Sequence, residues 1–196
     1  MPRVVDHERR RVQIAEAAWR VIEREGPDKA NLREIAREAG YTTGVITHYF
    51  SNKQQLMAFA FELLARRQVE RMVRSAERRD LTDALAQFLP LDEERRRETS
   101  VWLALLGASL KDPDFAAELR WRYQRMREAA WPLFKEALEE GNPDIETAAD
   151  ELLAIVDGIT VDALIDPERY TPERQLSLLR RSLERLGIRF GPQPHG

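Results

Sequence analysis

The sequence predicts an all-α protein, and three observations carry that reading. Apolar residues recur at helical spacing nearly from end to end, and no stretch alternates well enough to make a strand. Helix-stopping and helix-starting residues recur between the apolar runs, as at Gly26-Pro27, Gly40, Asp112-Pro113 and Thr171-Pro172. The 196 residues include no cysteine, so no disulfide framework or thiolate metal site competes with a helical core. The pattern divides into a three-helix head over residues 1–52 and a larger helical body over 53–190. A Gly- and Pro-rich tail at 191–196 is expected to be disordered.

The first helix is expected over 6–25, with Ile14, Ala18, Val21 and Ile22 inward. Asn31 is a good N-cap for the second, and Glu34 stands three residues on, the spacing of a capping box. Leu32, Ile35, Ala36 and Ala39 then share one face, and Gly40 suits a left-handed stop. Thr42 or Thr43 can cap a third helix whose inner residues, Ile46 and Phe50, lie four apart. Two short helices joined by so tight a turn make a helix-turn-helix, a shape that lays its second helix in the DNA major groove.

The outward face of that third helix carries Thr42, Thr43, Gly44, Val45, Thr47, His48 and Tyr49, with no negative charge among them. Hydroxyls donate to phosphate oxygens, and Val45 or a Thr methyl can meet a thymine methyl. Ser51-Asn52-Lys53-Gln54 repeats the capping-box pattern and places Lys53 in the first turn of the next helix, where a cation adds a phosphate clamp. A compact helical pair with a merely polar outer face would show the same short pattern.

The fourth helix is expected from 52 to about 78, burying Leu56, Phe59, Ala60, Leu63 and Leu64. Asp80 and Asp92 can cap a fifth and a sixth. Residues 101–110 are apolar on every side, the pattern of a buried helix. Pro113 starts a seventh, striped by Phe115, Leu119, Tyr123, Met126, Ala130, Phe134 and Ala137, with Trp121 off the stripe and a kink expected at Pro132. The last two helices, at 144–165 and 172–186, are apolar beyond a single stripe, which suggests packing against a partner chain. Leu152, Ile155, Gly158, Ile159, Leu176, Leu179 and Leu183 are the candidate residues for that interface.

Net charge is −3, yet residues 1–55 hold ten basic and eight acidic side chains against 21 and 26 in the rest. The sign suits a DNA-reading head on an acidic body. The N-terminus lacks a signal peptide's apolar core, and no apolar run approaches the ~20 residues that span a bilayer, so a cytoplasmic protein without a membrane partner is expected. His7, His48 and His195 form no catalytic or zinc-helix constellation, and no Gly-rich phosphate loop is present. The expected protein is not an enzyme and needs no cofactor or metal.

Residues 10–60 resemble the DNA-binding domain of the TetR family of bacterial regulators. The resemblance rests on Ile14-Ala15-Glu16-Ala17-Ala18, the Leu32 to Ala36 run, Gly44, His48-Tyr49-Phe50 and Lys53. The run from Gly44 to Phe50 is most similar to the branch of the choline-pathway (Bet) repressor, and Asp157-Gly158 and Asp166-Pro167 look like pairs late in that branch's ligand domain. The resemblance implies a homodimer that binds a palindromic double-stranded operator, with its last two helices forming the dimer interface. It also implies a small-molecule inducer cavity on the sixth and seventh helices. Trp102, Trp121, Tyr123 and Trp131 are the candidate lining there, and with Glu98 or Asp157 such rings could cage a quaternary ammonium. The same rings serve equally as core and interface aromatics. An inducer-free DNA-binding interaction protein, or a ligand-binding module with a vestigial head, fits the same fold.

Overall fold

The computed structural model describes residues 2–76, 81–138 and 144–186, and among them every regular element is helical. The helices are α1 (Pro2–Glu25), α2 (Leu32–Ala39), α3 (Thr43–Tyr49), α4 (Lys53–Ala76), α5 (Leu81–Leu85), α6 (Glu93–Ser109), α7 (Pro113–Leu138), α8 (Ile145–Ile165) and α9 (Pro172–Arg185). A 3₁₀ turn at Ala86–Phe88 follows α5. The expected tail at 191–196 and the Asp80 cap lie outside the described residues.

The starts of these helices are set by the side chains that the sequence offers for capping. Asp92 Oδ1 accepts from Arg95 N at 2.8 Å and Asp112 Oδ1 from Phe115 N at 3.0 Å. Asp144 Oδ1 accepts from Thr147 N at 3.1 Å, and Thr171 caps α9 with Pro172 in its first turn. Each satisfies an amide that the helix itself leaves without a partner. α7 continues through Pro132 to Leu138.

The chain forms two compact units. The first comprises residues 1–66 and 100–124, and the second 67–99 and 125–196. In the first, Ile14, Ala17, Ala18 and Val21 of α1, Ile35 of α2, Ile46 of α3 and Phe50 are fully buried with Leu56, Phe61 and Leu64 of α4. The head's core therefore runs past the boundary expected at residue 52, because α4 supplies a wide apolar face from Leu56 to Ala65. Trp19 Nε1 donates to the Ala60 carbonyl at 3.2 Å, tying α1 to that face. α6 is less buried than its composition suggests: Gly107 is exposed and Leu110 is 88 % exposed, since the helix ends at Ser109 and Leu110 falls in the turn.

The second unit has its own core, in which Leu85, Leu89, Phe134, Ala149, Leu152, Val156, Leu179 and Leu183 are buried. Arg96 of α6 donates to the Ala163 and Leu164 carbonyls at 3.1 and 3.3 Å, satisfying two end carbonyls of α8. Buried Glu98 is held by a two-pronged ion pair with Arg71 of α4. Its charge is already matched within the chain, so it is not a spare carboxylate for a cationic ligand.

The candidate interface residues separate on this core. Leu152, Ile159, Leu179 and Leu183 face the chain's own interior, and Ile155 and Leu176 are half-buried. Their stripe repeats every three to four residues because it packs α8 against α9, which is why it mimics a partner-facing stripe in the sequence. Gly158 alone of the seven is exposed, in line with Glu151, Ala154, Asp162 and Ile165 along the opposite side of α8.

Candidate DNA interface

The turn between α2 and α3 is built by backbone chemistry that only its glycine permits. Asn31 Oδ1 accepts from Arg33 N and Glu34 N, both at 3.0 Å, and starts α2. The return half of the expected capping box is absent from the contacts described, for Glu34 pairs instead with Arg37 one turn on. Gly40 ends the helix at φ +72°, where a side chain would be strained. Its amide reaches the Arg37 carbonyl at 3.2 Å and the Tyr41 amide reaches that of Ala36 at 2.8 Å, the paired bonds of a Schellman stop.

α3 then starts on Thr42, whose Oγ1 accepts from Val45 N at 3.4 Å. Ile46 and Phe50 are fully buried, so the phase of the helix is fixed and the opposite face points outward. Thr42, Thr43, Gly44, Thr47 and His48 are exposed there and Val45 is half-buried. The Thr43 hydroxyl has no protein partner among the described residues. Thr47 Oγ1 donates to the Gly44 carbonyl at 3.1 Å, which leaves its methyl and lone pairs outward. Tyr49 is less outward than expected: it is half-buried against the first core, where its ring lies 4.7 Å from that of His7 of α1, tilted by 47°.

The two short helices are held against α1 by charge. Glu38 of α2 accepts from Arg20 Nε at 2.7 Å and Arg24 Nη1 at 3.0 Å. These bonds hold its carboxyl below the ordinary range and raise the Arg24 guanidinium. Arg11 lies over the rings of Phe50 and Phe59, 5.0 and 4.1 Å from their centroids, pinning the end of α3 to α4. Arg10 donates to the Tyr41 hydroxyl, which in turn donates to Gln13.

The cap of α4 sits one residue later than the sequence pattern suggests. Asn52 Oδ1 accepts from Gln55 N at 2.8 Å, and Gln55 Oε1 accepts from Ser51 N at 2.7 Å. Lys53 is thereby turned back toward the α1–α2 connection, where Nζ donates to the Pro27 carbonyl at 2.8 Å and to that of Asp28 at 3.5 Å. An ammonium has three donors, so one remains for a phosphate. The strut role was invisible in the sequence, because nothing there shows that α4 begins beside Pro27.

The candidate ligand residues fall in different settings. Trp102 and Tyr123 are half-buried against the first core, whereas Trp121 is 53 % exposed. Trp131 belongs to the second unit and is 36 % exposed. Among the described residues no cluster of acidic or imidazole side chains could hold a metal ion, and no helix is long and apolar enough to cross a membrane.

Comparison with known proteins agrees with this architecture. Residues 14–59 match the model for bacterial regulatory proteins of the tetR family, and residues 77–187 match that for the C-terminal part of BetI-type transcriptional repressors. The HTH-type transcriptional regulator PksA of Bacillus subtilis is 35 % identical over 195 residues, covering 96 % of this chain and 95 % of that protein. A transcriptional regulator from Rhodococcus superposes with a TM-score of 0.80 at 31 % identity, over 93 % of this chain and 99 % of the other. A regulator from Saccharomonospora viridis, solved in complex with choline, has a TM-score of 0.74 at 24 % identity, over 89 % and 95 % of the two chains.

Proposed function

Because this chain belongs to the TetR family of bacterial transcriptional regulators, with a BetI-type C-terminal domain, we propose that it is a ligand-released repressor. It is a regulator with a DNA-binding head, and not an enzyme. In the proposed action a cytoplasmic homodimer seats one α3 in each of two major grooves of a palindromic operator. The observation that carries this reading is the α3 surface: Ile46 and Phe50 are fully buried, while Thr43, Gly44, Thr47 and His48 stand exposed opposite them. Thr43 would read bases, and Thr42, His48, Tyr49 and Lys53 would meet phosphates. The exposed side of α8 around Gly158, rather than the buried leucines, would pair the two chains.

Release would work through α4, whose first half belongs to the head and whose second half belongs to the other unit. A small molecule near Trp102, Trp121 and Tyr123 that favours one setting of α4 would change the spacing of the two heads and so the fit to both half-sites. The choline complex of the Saccharomonospora regulator makes quaternary amines the first class to try. The test is footprinting of the gene's own upstream region, repeated with quaternary amines and flat apolar cations. A protected palindrome that is released by a compound which also raises the melting temperature would support the reading. A footprint that no compound alters would favour the inducer-free interaction protein, and no footprint would remove the repressor.

A further inference from the structure

The N-terminal part of α1 carries an exposed histidine beside the end of α3. We infer that His7 extends the DNA interface onto α1, and that His7 and His48 together make DNA binding proton-linked. This inference rests on the DNA-binding reading above. His7 and His48 are both exposed, one from α1 and one from α3, and meet at Tyr49. The His7 ring lies 4.7 Å from that of Tyr49 and 6.4 Å from that of His48, and His48 stands edge-on to Tyr49 at 5.1 Å. Tyr49, half-buried in the head's core, thus props both imidazoles beside the exposed face of α3.

Among the described residues the neighbouring charges are paired with one another. On α1, Asp6 faces Arg10 at 3.8 Å, and Glu8 faces Arg66 of α4 at 3.9 Å. Arg11 is spent over Phe50 and Phe59. α3 brings no charged group other than His48 itself. Among the described residues no carboxylate pairs with either ring. Both rings are exposed, so a ligand can reach them.

The ligand that suits them is a run of phosphates. An imidazolium has two N–H donors and no acceptor, and two cations 6.4 Å apart repel unless anions stand between or before them. Successive phosphates of one strand supply anions at comparable spacing. A phosphate set before an imidazole favours its protonated form. Binding therefore takes up protons and tightens as pH falls, since a state that binds more protons gains as protons become available. Each head can take up at most two, and each imidazolium that neutralises a phosphate adds about 0.9 to the salt slope of log affinity.

The experiment measures binding to a random-sequence duplex and to a duplex selected in vitro with this protein, at constant ionic strength. Wild type, His7→Gln, His48→Gln and His7→Lys are compared at about pH 6 and about pH 8, the range over which imidazole titrates. Wild type should bind both duplexes roughly tenfold or more tightly at the lower pH. His7→Gln should keep only part of that gain and show a shallower salt slope at the lower pH. His7→Lys, a fixed cation, should bind more tightly than wild type at the higher pH and depend less on pH. A His7→Gln protein with the wild-type pH dependence and salt slope overturns the inference, as does a wild type whose affinity ignores pH. Failure to bind either duplex at any pH would instead overturn the DNA-binding reading on which it rests.

Discussion

Replacing Gly44 by alanine should stabilise this protein and weaken its hold on DNA. Gly44 is the second residue of α3, has helical backbone, and is exposed. A methyl added there would meet only Thr42 Oγ1, at 3.8 Å, which is ordinary contact. Nothing in the folded chain therefore asks for glycine. A glycine in a helix interior costs about 0.8–1.0 kcal/mol relative to alanine. In the first turn, where fewer hydrogen bonds fix the backbone, about half of that should be recovered. In a chain of this size ~0.5 kcal/mol raises the melting temperature by about 1–2 °C. The same methyl would stand on the face offered to the major groove, where a glycine lets the backbone approach. Affinity should fall tenfold or more, ~1.4 kcal/mol. Thermal melts and binding isotherms on one preparation decide the matter. An alanine variant that melts higher and binds DNA undiminished would refute the placement of this face against DNA.

Lys53→Ala should lower the urea midpoint by the equivalent of about 0.5–1.5 kcal/mol, through the lost bonds to Pro27 and Asp28. It should also shrink the salt slope of DNA binding by roughly one unit per head; a lowered midpoint with the slope intact would make the lysine a strut alone. The depressed Glu38 carboxyl, hydrogen-bonded by Arg20 and Arg24, contributes stability that is present above its unfolded value of about 4.3 and is lost as pH falls through its folded value. Glu38→Gln should therefore lower the urea midpoint at about pH 7 and narrow the gap between that pH and about pH 3; equal losses at both would show that the charge is immaterial. Gly158→Arg should be tolerated by the isolated chain, since its Cβ would meet nothing within 4 Å, yet should give monomers in sedimentation if that side of α8 pairs two chains. Leu179→Arg, by contrast, should unfold the second unit, because its side chain is fully buried.

What the sequence disclosed well was local. Asn31, Gly40, Thr42, Asp144 and Thr171 each act on amides or carbonyls within a few residues, so their identity and spacing sufficed to place them. The inner face of α3 was legible for the same reason: Ile46 and Phe50 are one turn apart and both apolar. What could not be read depends on which segments meet in space. Lys53 reaches carbonyls 26 and 25 residues back, and no periodicity encodes that. Tyr49 looked outward by helical phase alone, but α1 passes beside it and brings the His7 ring against its own.

The leucines of α8 and α9 show the same limit from the other direction. An apolar stripe reports that something covers it and is silent about whether the cover is the same chain or another. Here Leu152, Leu179 and Leu183 cover one another, and that fact reverses the useful question about these helices. The residues informative about a partner are those the core leaves out: Gly158, Ala154, Asp162 and Ile165, one of them 75 % exposed despite being isoleucine. Small residues at the middle of such a face let two helices approach closely, and a large apolar residue near its end supplies area that water would otherwise hold. The exposed side of α8 is where the proposed pairing of two chains would fall, while its buried side closes the second core.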